Sequence, residues 1–318
     1  MRTPKVSIII NCLNGEKYLR QALDSVFNQT YTDWEIVFWD NGSTDLSGEI
    51  AKSYGDRVRY FYSEKTVPLG NARNLCMAQA KGEYIAFLDC DDIWLPDKLG
   101  KQIPLFEKDN EVALVFTDAI YFNDKGDICR LYKKYKPPRG KIFKELLRKY
   151  YLCMPSIVIR RSAIEGVPWF DERLKFIEDG LFFLRLAYKY KLDYCDEPLV
   201  KYRIHPDSGT INEWGSLADE KDLGLKVLIS EFPEIEKEYE KEMIIYKSKA
   251  NSQRAVNEWI KGNSASARKV LKSSCLKNSL FYVLYFVTFL PNSTFKTLIF
   301  LNFKIKGWFN WYKFESSE

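Results

Sequence analysis

Tyr84-Ile85-Ala86-Phe87-Leu88-Asp89-Cys90-Asp91-Asp92 joins an apolar run to three carboxylates. The run reads as a buried strand, and the acids fall where it ends. Like charges this close repel, and desolvating them together is costly. A divalent cation that also holds a polyanionic ligand compensates them most economically. A hard cation takes oxygen ligands and keeps waters and ligand phosphates in its shell. One carboxylate can hold the metal while the other faces a ribose or a metal-bound water. The plainer reading is a solvated turn, since DxD occurs by chance in many surface loops. The five apolar residues before Asp89 weigh against that for Asp89 and Asp91. Asp92 is expected to be solvated and to cap the next helix.

Working outward, Val6-Ser7-Ile8-Ile9-Ile10 reads as a buried parallel strand, followed by a helix from Lys17 to Asn28. Trp34 to Trp39 is a second strand, and Asp40-Asn41-Gly42-Ser43-Thr44-Asp45 caps a helix through Lys52. Val58 to Tyr62 is a third strand and Gly70 to Ala80 a helix. This alternation argues an α/β doubly wound sheet with ligands at the strand carboxyl ends. Val112 to Phe116 and Ser156 to Ile159 are further strands, with a hairpin turn at Asn123-Asp124-Lys125-Gly126. Leu181 to Tyr190 is a helix, and Glu234 to Ile260 and Ser264 to Leu276 read as paired helices.

The seven cysteines are scattered, form no CxxC pair, and accompany a single histidine. Zinc and iron–sulfur sites are therefore not expected, and a reducing compartment is. Met1-Arg2-Thr3-Pro4 lacks a signal-peptide shape, so a cytoplasmic chain is expected. The net charge of +5 is unevenly placed. Residues 261–314 carry nine Lys or Arg and no acid. Removing those nine and the tail acids Glu315 and Glu318 from totals of 48 and 43 leaves 39 basic and 41 acidic groups. A near-neutral body argues against nucleic acid as a partner.

Leu280 to Leu290 is apolar on every face, and Phe295 to Phe303 is a second apolar piece containing Lys296. Neither reaches the roughly 20 residues that span a bilayer. An interfacial hairpin is expected over a buried helix pair, ending in the aromatic and basic run Lys304 to Lys313.

Asp40 closes the second strand, where a carboxylate can meet a base N–H or a ribose hydroxyl, or simply form the turn. Asn11, Asn14 and Glu16 follow the first strand on the same sheet edge. Arg73 can brace a diphosphate or a carboxylate; its plainer role is a surface ion pair of little worth. Glu178-Asp179 opens an apolar helix, as a dipole-compensating pair or as a general base. His205 is a lone histidine in a loop before Pro206, where ligand contact is possible and a structural role more common. No P-loop and no GxGxxG occur, which argues against ATPases and dinucleotide enzymes.

Taken in order, these pieces resemble the family 2, GT-A fold glycosyltransferases. The resemblance rests on Val6 to Asn11, Leu23 to Tyr31, Trp39 to Asp45, Gly70 to Asn74, Phe87 to Asp92, Glu178-Asp179 and Tyr202 to His205. It covers about the first 210 residues, and the motif around Asn11-Cys12-Leu13-Asn14 departs from the usual hydroxyl or proline. It implies a GT-A type nucleotide-binding mixed sheet flanked by helices over residues 1–215. Outside the resemblance, residues 216–278 are expected to form a helical appendage and 279–318 a basic, aromatic, membrane-interfacial segment. The resemblance implies that Asp40 contacts the base, Asp89 the nucleotide sugar and Asp91 a Mg²⁺ or Mn²⁺ ion. Arg73 and His205 match positions near the diphosphate, and Asp179 matches the catalytic base.

The expected reaction is an inverting transfer from a nucleotide-diphosphate sugar, with uridine as the expected base. The expected acceptor is a lipid-linked or glycan hydroxyl at the inner face of the plasma membrane, in surface polysaccharide synthesis. A nucleotidyltransferase is the first rival, but residues 11–20 offer only Gly15, Lys17 and Arg20 toward a triphosphate loop. A non-catalytic membrane adaptor is the second, and it needs only residues 216–318.

Overall fold

The computed structural model describes residues 3–133, 136–205, 217–273 and 279–290. The apolar piece at 295–303, the run at 304–313 and the expected boundary at 215 lie outside the described residues. Two compact units divide the chain, one of residues 1–146 with 150–203, the other of 147–149 with 204–318.

The first unit is built on one nine-stranded sheet. Its elements are β1 (Val6–Cys12), α1 (Glu16–Phe27), β2 (Trp34–Asp40), α2 (Ser47–Lys52), β3 (Val58–Tyr62), α3 (Leu69–Met77) and β4 (Tyr84–Phe87). They continue with β5 (Ile93–Trp94), α4 (Lys98–Lys108), β6 (Val112–Asn123), β7 (Gly126–Arg130) and α5 (Phe143–Arg148). They end with β8 (Val158–Arg160), α6 (Arg161–Ile164), α7 (Glu178–Lys189) and β9 (Lys191–Arg203). The sheet order is β3-β2-β1-β4-β8-β6-β9-β5, with β7 paired to β6.

Strands β3, β2, β1 and β4 are mutually parallel, which keeps their carboxyl ends on one edge. β8 then enters antiparallel between β4 and β6, so the sheet is mixed, as the family resemblance implies. The apolar residues of the parallel strands explain their burial on both faces. Leu19, Ala22, Leu23 and Val26 recur along α1 at helical spacing and share one core with Ile8, Ile10, Ile36 and Phe38.

Several boundaries differ from expectation. β6 runs on from Phe116 to Asn123 because its buried Asp118 is answered by Arg130 and by the Tyr132 N–H, 2.9 Å away. The expected hairpin follows, with Asn123 paired to Gly126. α7 begins at Glu178 rather than Leu181, so both acids of the pair sit in its first turn.

The second unit is helical: α8 (Leu217–Glu231), α9 (Ile235–Glu238), α10 (Glu240–Ile260), α11 (Ser264–Lys272) and α12 (Ser279–Val287). The expected Glu234–Ile260 helix is broken at Tyr239, which precedes α10 in a non-helical conformation. Arg254 ties α10 to α8 through Asp219 and Asp222, each at 2.7 Å. Ala255 and Trp259 of α10 pack on Ala267 and Leu271 of α11.

Candidate active site

Two loops at the carboxyl edge of the sheet are stitched together. After β1, Asn14 N–H donates to Ser43 Oγ at 3.0 Å, Gly15 N–H to Ser47 Oγ at 2.9 Å and Glu16 N–H to Asp45 Oδ2 at 2.9 Å. In return, Thr44 N–H donates to Asn14 Oδ1 and Leu46 N–H to Glu16 Oε2, both at 2.9 Å. Asn14 turns the chain with φ +54°, a left-handed conformation that asparagine tolerates better than most residues. Gly15 has no room for a side chain: a Cβ there would lie 2.7 Å from Cys12 Sγ and 3.0 Å from Cys90 Sγ. The first loop is thus pressed against the Asp89 turn.

Asp40 sits at the end of β2, buried to 1% exposure. Its Oδ1 accepts Ser43 N–H at 2.7 Å and its Oδ2 accepts Tyr60 O–H at 2.6 Å. Burial and this carboxylate push the Tyr60 phenol well above its usual range. The carboxylate is therefore held rigidly before any ligand arrives. Asn11, at the end of β1, keeps a buried Nδ2 without a hydrogen-bond partner, a donor in want of an acceptor.

The third loop carries the acids. Leu88 N–H still pairs with Ile9 O at 3.1 Å, and the chain then turns through Asp89 to Asp92. Arg73, on α3, lies beneath it and is buried rather than forming the surface ion pair considered above. Its Nη2 meets Asp89 Oδ1 at 3.0 Å and its Nη1 meets Glu178 Oε1 at 2.6 Å. Gly70 lets the first turn of α3 approach this closely, since a Cβ there would sit 3.2 Å from Glu178 Cγ. Asp179 follows Glu178; its Oδ1 accepts Gly180 N–H at 2.7 Å and its Oδ2 accepts Tyr150 O–H at 3.3 Å.

The electrostatics follow from one guanidinium shared among several acids. Burial raises the Asp89 carboxyl, Arg73 opposes the rise and Asp91 adds to it. Burial lifts Glu178 to about 7, with Arg73 pulling down and Asp179 and Asp89 pushing up. Asp179 is likewise raised by burial against the pull of Arg73. A site this short of positive charge favours a cation.

Asp92 departs from expectation. It is 1% exposed and accepts Arg203 N–H on Oδ1 at 2.7 Å, instead of capping a helix in solvent. The next element is β5, and α4 starts only at Lys98. Arg203 Nε also donates to Asp91 O at 2.7 Å, so the end of β9 fixes the backbone of the acidic turn. Sequence reasoning gave no such role to Arg203, Tyr60 or Tyr150, because each acts through a contact distant in sequence.

Residues 7–167 match the family model described as glycosyl transferase family 2. An uncharacterized glycosyltransferase of Methanocaldococcus jannaschii is 32% identical over 210 residues, which is 64% of this chain and 72% of the relative. The chain belongs to glycosyl transferase family 2.

Solved structures place the transferase in the GT-A fold. Staphylococcus aureus TarS 1–349 in complex with UDP-GlcNAc superposes with a TM-score of 0.67 at 17% identity, covering 92% of each chain. Mannosyltransferase PcManGT from Pyrobaculum calidifontis, in complex with GDP-Man and Mn²⁺, gives 0.61 at 15% identity, covering 94% of this chain and 84% of that one. In the transferase, Asn11, Asp40, Arg73, Asp89 and Asp91 sit at or beside the carboxyl edge of β1, β2 and β4, joined by Asp179 through the Arg73–Glu178 pair. Glu16 joins them by bracing the two stitched loops. His205 lies two residues past β9, in the second unit.

The donor set fits a hard divalent ion. Asp91 and Asp89 offer carboxylate oxygens, and among the described residues no three His, Cys, Asp or Glu side chains group as a metal site.

Proposed function

We propose that this transferase moves a sugar, with inversion, from a UDP-sugar to a hydroxyl of a lipid-linked or glycan acceptor. The observation that carries the reading is Arg73, bonded at once to Asp89 of the acidic turn and to Glu178 beside Asp179. It ties the donor end of the site to a second, buried acid at the start of α7.

Asp40 receives the base and Asn11 offers its unpartnered amide to the donor. Asp89 meets the sugar nucleotide, while Glu16 holds the loop beside Asp40. By its resemblance to the family's motif, His205 would lie near the diphosphate. Asp91 would hold Mg²⁺ or Mn²⁺, whose charge stabilises the departing diphosphate. Asp179 takes the proton of the acceptor hydroxyl as its oxygen bonds to the anomeric carbon and the bond to diphosphate breaks. Its raised carboxyl, oriented by Tyr150 and Gly180, suits a general base. The setting is the synthesis of a surface polysaccharide at the inner face of the plasma membrane, where a basic, aromatic C-terminal segment meets the lipid carrier.

A panel of UDP- and GDP-sugars, each with and without Mn²⁺, tests the reading by donor hydrolysis and thermal stabilisation. One UDP-sugar should be hydrolysed slowly without acceptor and should raise the melting temperature only with metal. Absence of both effects across the panel refutes it.

A further inference from the structure

In the second unit, α12 has a packed face and a more exposed one. Leu284, Tyr285 and Val287 pack against the cluster of Ala255, Trp259, Ala267 and Leu271. Trp259 Nε1 donates to Leu290 O at 3.0 Å and fixes the end of the segment. On the other side Tyr282, Val283, Phe286, Phe289 and Leu290 are between 42% and 68% exposed. Their spacing puts them on one stripe of the helix and its final turn. A contiguous stripe of large apolar side chains marks an interaction surface.

The rim of the stripe is basic. The Arg268 guanidinium lies 4.4 Å from the Phe289 ring centroid and donates to Thr288 O at 2.9 Å. Lys272 Nζ lies 5.9 Å from the Tyr285 ring.

We propose that this face of α12, with its Arg268 and Lys272 rim, docks on an anionic lipid surface. The proposal deepens the membrane-side part of the function above and does not depend on donor chemistry. Charge decides among occupants. A second copy would set the same cationic rim against itself, a like-charge contact that costs affinity. The chain's own residues 291–314 carry Lys296, Lys304, Lys306 and Lys313 and no acid, so they offer the rim no countercharge. An anionic headgroup layer attracts it. Nine helical residues extend only about 13 Å, against about 30 Å of hydrocarbon. No described helix is long and apolar enough to cross a membrane. The helix therefore lies in the interface, with Phe286 and Phe289 in the acyl boundary and Arg268 and Lys272 among headgroups.

The test is sedimentation of the full chain with sucrose-loaded vesicles of phosphatidylcholine alone or with phosphatidylglycerol, at low and high salt. Wild type should sediment with the anionic vesicles and release at high salt. Phe286→Ser with Phe289→Ser should cut partitioning about tenfold or more, with a far-UV circular dichroism spectrum like that of wild type. Arg268→Gln with Lys272→Gln supplies a second readout, a weaker salt dependence. Equal binding by wild type and both variants overturns the proposal. So does failure to bind either vesicle, or a wild-type dimer that the Phe variant dissociates. No donor or turnover enters the measurement, so an inactive protein can still bind vesicles, and an active one can fail to.

Discussion

Replacing Glu178 with Gln removes one buried titratable carboxyl and keeps an acceptor oxygen toward Arg73. Glu178 is 3% exposed. Burial lifts its carboxyl from an ordinary 4.5 to about 7, Arg73 pulls the other way, and Asp179 and Asp89 add to the rise. Within that interval the native protein holds a proton that the unfolded chain releases. The stability this group contributes is therefore full below pH 4.5 and is lost as pH rises through 7. At about 1.36 kcal/mol per pH unit, the loss between about pH 5 and pH 8 is on the order of a few kcal/mol. Glu178→Gln cannot lose it. Urea unfolding of wild type and variant at those two pH values measures the effect directly. The stability difference between them should move by on the order of a few kcal/mol in the variant's favour on going from pH 5 to pH 8. Parallel pH profiles for the two proteins would refute the reasoning, since they would show that Glu178 ionises alike in both states.

Arg73→Met leaves Asp89 and Glu178 without their shared cation and should destabilise the fold by about 3–5 kcal/mol in urea melts. Asp179→Asn should lower turnover on the order of 10²–10⁴-fold while nucleotide affinity stays put; retained turnover removes it as the base. Gly15→Ala forces a methyl group to within 2.7 Å of Cys12 Sγ and should cost about 1–3 kcal/mol by the same melts.

The parallel half of the sheet was legible because each of its strands is a short apolar run and α1 repeats Leu19, Ala22, Leu23 and Val26 at helical spacing. β9 was not, because Asp193, Asp196, Glu197 and Pro198 interrupt its pattern. Pairing with β6, shifted in register around Asp118, carries it instead. The same limit governs the site. Asp40, Asp89 and Asp91 announce themselves at strand ends, and Asp179 as part of an acidic pair. That Arg73 would be buried between two acids depends on a partner 105 residues away in sequence. Asp92 illustrates the converse: its local setting reads as a helix cap, and a contact with Arg203, 111 residues distant, makes it a buried anchor.

Donor binding turns on Asp91 and its neighbour Asp89 gripping a cation together with a diphosphate. Calorimetric titration of UDP into wild type and Asp91→Ala, each with and without Mn²⁺, tests that most directly. Wild type should bind UDP much more tightly with metal than without, and Asp91→Ala should show weak binding that metal does not improve. Equal, metal-enhanced affinity in both proteins would contradict the account.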